Sequence, residues 1–161
     1  MHTLLTLAFV LPLPFFRPAE RTDAAAWSQL LAAFRERGVS VSSDHPRCRE
    51  PDLYGLYVRG SRTVVVCERG DRSGTLRHEG WHLVQHLCLQ GRPWLTPQQI
   101  EQRLSRDDRV ELQILVQPER WQREAEARAM ARLTTNDYLQ KLNSACGERL
   151  LRPTDSPGEQ P

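Results

Sequence analysis

Residues 75–90 read TLRHEGWHLVQHLCLQ. Leu76, Leu83, Val84 and Leu87 recur at helical spacing and Gly91 follows as a stop, which predicts a helix held in a core by one apolar face. On such a helix His78 and His82, at i and i+4, project from the same side a turn apart, so both imidazoles reach one metal ion. Glu79 is rotated by about 100° from His78 and lies beside such an ion rather than on it. Gly80 costs about 1 kcal/mol of helix propensity relative to Ala; its presence leaves room for a close approach by another backbone. His86 continues the stripe but lies about 12 Å along the axis from His78, too far for the same ion. Trp81 reads as core or cleft wall, and Gln85 and His86 as polar positions on the surface or supporting the site.

Upstream, LYGLYV (53–58) and TVVVC (63–67) flank a Gly-Ser turn and predict a β-hairpin just ahead of the motif helix. Further upstream, Trp27, Leu30, Leu31 and Phe34 predict a helix over 23–37, stopped by Gly38. A polar loop over 42–52 separates the two. Downstream, Thr96-Pro97-Gln98-Gln99 combines an N-cap, a proline at N1 and a capping-box glutamine. RVELQILVQ (109–117) is ambiguous between short helix and strand. Pro118 opens a helix through about Leu133, and a last helix spans about 136–146 before Gly147. The expected architecture is α+β and mostly helical, with a small antiparallel hairpin or sheet before the His-Glu-x-x-His helix.

Two histidines with an adjacent glutamate make a catalytic zinc site only with a third protein ligand and one open position. The stretch 121–131, WQREAEARAMA, is rich in alanine and suits close packing of one helix on another. Glu124 shares a face with Trp121, Ala127 and Ala131; Glu126 shares one with Ala129, Met130 and Leu133. Either carboxylate sits on a partly apolar face, which is costly unless the group is paired or metal-bound, and periodicity does not choose between them.

The pattern His78-Glu79-x-x-His82 followed by a helical glutamate resembles the gluzincin branch of the zincin metallopeptidases. Residues 124–131, EAEARAMA, are similar to the E-x-E-A-N-x-F-A segment of ImmA/IrrE-like peptidases. The resemblance is one of motifs, over about residues 53–133. It implies a zincin-like domain in which His78, His82 and Glu124 hold zinc (Zn2+) and Glu79 is the general base for hydrolysis of a peptide bond. It also implies an edge strand beside the substrate cleft. Arg128 departs from the pattern, standing where the family has Asp or Asn, so either another group orients a ligand histidine or the site is degraded. Tyr138, Arg128 and His45 are candidate donors to the oxyanion of a tetrahedral intermediate. Two histidines and a carboxylate with an open position favour zinc over copper or iron.

Composition limits the partners. The chain has 161 residues, enough for one domain, and its 22 basic residues, 21 of them Arg and the other Lys141, are interspersed with 20 acidic ones for a net charge of +2. No basic stripe appears, so nucleic acid is not an expected partner; a peptide or protein substrate is. The apolar run Thr3–Phe16 is too short to span a membrane and fits the apolar part of a signal peptide. Segment 1–22 is therefore expected to be a signal peptide or an apolar N-terminal segment, 23–150 the domain and 151–161, PTDSPGEQP preceded by LR, a disordered tail. Four cysteines, Cys48, Cys67, Cys88 and Cys146, with no C-x-x-C spacing, predict two disulfides in an exported protein and leave three pairings open. The other expectation is a catalytically inactive exported domain that binds metal or protein.

Overall fold

The structure, a computed structural model, describes residues 18–147, with side chains over 23–147. In chain order it comprises α1 (Pro18–Glu36), β1 (Ser40–Ser42), a 3-10 turn at Pro46–Arg49, β2 (Gly55–Val58), β3 (Thr63–Val66), α2 (Arg72–Leu87), α3 (Pro97–Glu101), α4 (Arg106–Leu115), α5 (Pro118–Ala131) and α6 (Thr135–Cys146). The apolar run 3–16 and the tail 151–161 lie outside the described residues. No helix among the described residues is long and apolar enough to cross a membrane.

The motif helix is the hub, because its apolar residues leave it on several sides. Leu76, Trp81, Leu83 and Val84 are fully buried. They share one core with Leu30 and Phe34 of α1, Val64 and Val66 of β3, Ala125, Ala129 and Met130 of α5, and Tyr138 and Leu142 of α6. Side chains of this size contribute about 1.5–3 kcal/mol each when fully buried. α2 begins at Arg72, three residues ahead of the expected start, because the Asp71 carboxylate accepts from the Gly74 N–H and caps the first turn.

The hairpin forms as expected: β2 and β3 are antiparallel, pairing Leu56 with Val65 and Tyr57 with Val64. The sheet nevertheless differs from a simple hairpin. β1 adds to β3 in parallel, giving the order β1-β3-β2 and a mixed sheet of three strands. Ser40-Val41-Ser42 offers one apolar residue over three positions, too short a pattern to mark a strand, so its strand character comes from its partner. β2 is left at the edge nearest α2.

RVELQILVQ is helical in its larger part. Val110, Leu112, Ile114 and Val116 alternate as a strand would, but only Leu112 is buried in α4, while Val110 and Ile114 face solvent. A capping box decides the matter: Ser105 Oγ accepts from the Asp108 N–H and the Asp108 carboxylate accepts from the Ser105 N–H. The predicted caps of α3 are present in full, with Thr96 and Gln99 exchanging side-chain and backbone bonds.

Both disulfides form. Cys48–Cys67 fastens the 3-10 turn to the end of β3, and Cys88–Cys146 joins the ends of α2 and α6. Such bonds persist in an oxidising environment.

Gly80 is closely approached, by side chains rather than by the backbone expected. A Cβ there would collide with the Phe34 ring and lie 3.0 Å from the Tyr138 hydroxyl. Gly80→Ala should therefore destabilise the fold by about 1–3 kcal/mol, despite gaining about 1 kcal/mol of helix propensity. Urea unfolding checks this, and unchanged or higher stability contradicts the packing. Asp108 gives a second test. Burial opposes its ionisation, but bonds from Arg132 and Ser105 hold its carboxyl down at about 2. Its folded value lies below the unfolded one of about 3.9, so its stabilisation is complete above that value and is lost as pH falls through about 2. Asp108→Asn should cost about 1–3 kcal/mol near neutrality, with the gap to the wild type closing between pH 5 and pH 2.

Candidate metal centre

Three side chains from two helices converge. His78 and His82 lie one turn apart on α2, their rings edge to face with centroids 4.8 Å apart. Glu124 enters from α5. Its Oε2 lies 3.1 Å from His82 Nε2 and 3.8 Å from His78 Nε2. One ligand atom from each residue lies within 4.8 Å of the others, so the group can hold a metal ion. Zinc bonds of about 2.0–2.2 Å at tetrahedral angles place ligand atoms about 3.3 Å apart, and the two histidine–carboxylate separations bracket that figure. Two imidazoles and a carboxylate suit zinc, and the set leaves a position open.

The electrostatics match the geometry. Burial, with the neighbouring His82, pushes His78 down to about 3, so its ring is neutral and has a free lone pair across the ordinary pH range. Burial alone would lower His82 as well, but its bond to Glu124 and that carboxylate's charge raise it. Glu124 is held at about 2: burial opposes its ionisation, and His82 prevails.

Glu79 sits beside this group, not within it. Its Oε2 accepts from the Tyr57 N–H of β2 at 2.9 Å, and its Oε1 lies 4.0 Å from His78 Nε2. Burial raises its pKa. Gly55 makes the arrangement possible, since a Cβ there would lie 2.6 Å from Val65 O and from Thr75 Cγ2, and 3.2 Å from Glu79 Cγ. The edge strand thus lies directly against the first turns of α2.

Glu126 has a different role. It is 1% exposed. Its Oε1 accepts from Trp81 Nε1 at 2.8 Å and Gln85 Nε2 at 3.1 Å, and its Oε2 from the Trp94 and Leu95 N–H groups at 2.7 and 2.9 Å. Gln85 is consequently buried, not on the surface. Its amide nitrogen is committed to Glu126 and to Arg123 O, so its Oε1 accepts from His82 Nδ1 at 2.8 Å. That puts a proton on Nδ1 and turns Nε2 toward the Glu124 carboxylate, to which it donates when the ring is charged and where a bound ion would take that proton's place. Gln85 supplies the orientation that Arg128 does not. The signal was the i, i+3 spacing of His82 and Gln85, hidden because a polar residue at that spacing is ordinarily solvated.

The other candidates separate clearly. Arg128 bonds Glu111 at 2.6 Å and lies 3.6 Å from Asp108. Tyr138 is fully buried against Trp81 and Phe34, which removes it as an oxyanion donor. His45 caps the 3-10 turn, its Nδ1 accepting from the Arg47 N–H. His86 Nδ1 lies 2.7 Å from the Tyr57 hydroxyl.

Two cavities meet at the site. One, of about 640 Å³, is lined by Tyr54, Thr75, His78, Glu79 and Arg128 among others. The second, of about 550 Å³, is lined by Tyr57, His78, Glu79, His82, His86 and Glu124 among others. His78 and Glu79 belong to both, so the metal group lies at the junction of a two-sided cleft. Comparison of the chain with protein families, with curated proteins and with solved structures finds no match.

Partners that orient a ligand histidine typically govern metal affinity by 10–100-fold. Gln85→Leu should weaken zinc binding by about that factor, measured by competition with a chromophoric chelator. Undiminished affinity in a folded variant contradicts the role given to Gln85.

Proposed function

We propose that the domain is a zinc-dependent peptidase, with His78, His82 and Glu124 as ligands and Glu79 as general base. The carrying observation is the three-donor group with a partly buried carboxylate beside it, at the junction of two cavities. A zinc ion bound there would polarise a carbonyl and bring the pKa of a water toward neutrality. Glu79, with burial raising its pKa, is suited to accept a proton from the attacking water and return it to the leaving amine. The Tyr57 N–H fixes Oε2, leaving Oε1, on the His78 side, as the oxygen that carries the proton. β2, at the edge of the sheet, has one strand neighbour, so an extended peptide could lie beside the part of its backbone not taken by the Tyr57–Glu79 bond. The motif likeness to gluzincins supports the same chemistry. The two disulfides favour an exported protein, periplasmic or extracellular.

Glu79→Gln tests the reading. It should leave about one zinc per chain and lower peptide hydrolysis by a factor on the order of 10²–10⁴. His82→Ala and Glu124→Ala should lose zinc. Hydrolysis that survives Glu79→Gln contradicts the role of that residue. A zinc-loaded wild type that cleaves nothing across a broad peptide library favours an inactive binding domain.

A further inference from the structure

We propose that the half of the cleft beside His86 selects peptides with acidic side chains, a specificity that rests on the peptidase reading above. The two cavities differ in charge. On the Arg128 side, Arg77, Arg128 and Arg132 are matched by Asp71, Asp108 and Glu111, and Arg128–Glu111 and Arg132–Asp108 are ion pairs. On the His86 side, four arginines from separate parts of the fold converge: Arg47 from the 3-10 turn, Arg59 from the turn after β2, and Arg120 and Arg123 from α5. Among the described residues the only carboxylates lining that half are Glu124, of the metal group, and Glu79 beside it.

Two of the four arginines are already engaged. Arg47 holds Glu50 through two bonds of 2.7 and 2.9 Å, and Arg123 reaches Glu124 at 3.2 Å. Arg59 and Arg120 pair with no carboxylate among the described residues. In a chain of net charge +2, this is a local concentration of positive charge inside a concave wall, where fields are focused. Guanidinium groups bind carboxylates bidentately. A peptide suits the cleft better than a nucleic acid. Its charges sit on separate side chains, which can meet Arg59 and Arg120 while its uncharged backbone passes Glu79 and Glu124. A continuous phosphate backbone would run against those two carboxylates.

The test uses the full zinc-loaded chain and three labelled peptides of equal length, differing only in carrying Asp/Glu, Asn/Gln or Lys at the variable positions. Binding is measured by fluorescence anisotropy with Glu79→Gln protein, and cleavage with the wild type. The acidic peptide should bind about tenfold more tightly than the neutral one at low salt, with the difference shrinking as salt rises. In Arg59→Ala/Arg120→Ala protein the preference should vanish, with zinc content and neutral-peptide binding unchanged. Equal binding of the three peptides overturns the proposal, as does a preference that survives the double substitution. So does a single-stranded oligonucleotide of equal charge that displaces the acidic peptide and binds as tightly. The two readings fail separately: arginine-dependent binding without wild-type cleavage overturns the peptidase reading alone, and cleavage of acidic and neutral peptides at equal kcat/KM overturns this specificity alone.

Discussion

A carboxylate removed from water costs several kcal/mol unless donors replace its hydration. Glu126 meets that requirement with four donors, drawn from the indole of Trp81, the amide of Gln85 and the backbone at Trp94 and Leu95. The requirement fixes more than one side chain. It sets the rotation of α5 about its axis, the height of α5 along α2 and the path of the chain into α3. Ala125 and Ala129 let the two helices come close enough for those bonds to form. Two residues along a helix correspond to about 200° of rotation, so once Glu126 faces the core, Glu124 faces the cleft.

The metal group inherits its order from this buried carboxylate. Glu126 holds Gln85, and Gln85 holds the His82 Nδ1 proton, leaving Nε2 aimed at Glu124. On the opposite flank, β3 positions β2, and the Tyr57 N–H then orients Glu79. The candidate ligands therefore rest on two helices, with the sheet bracing Glu79, rather than on loops, the placement that gives a site its precision. The disulfides clamp the periphery, at the end of α2 and beside the 3-10 turn.

Much of this was legible in the sequence where local chemistry decides. The i, i+4 histidines, the Gly-Ser hairpin turn and the Thr96–Gln99 capping box each carry their own geometry. What escaped was decided by distant partners. Ser40–Ser42 becomes a strand only because Val64 and its neighbours lie alongside. Glu124 and Glu126 are equally plausible ligands on a helical wheel, and the backbone donors at Trp94 and Leu95 distinguish them. Gln85 has the composition of a surface residue and the surroundings of a core one. The alternation of 110–116 left helix and strand open, and the local Ser105–Asp108 box settles the segment as helix. Cysteine pairing, too, depends on which chain ends the fold brings together.

The most direct measurement of the central claim is anomalous diffraction at the zinc edge from crystals of the protein grown with zinc. The account predicts one strong peak bonded at about 2.0–2.2 Å to His78 Nε2, His82 Nε2 and a Glu124 carboxylate oxygen, with Glu126 still bound to its four donors. No peak in that group, or a zinc ion bound with Glu124 turned away, would contradict it.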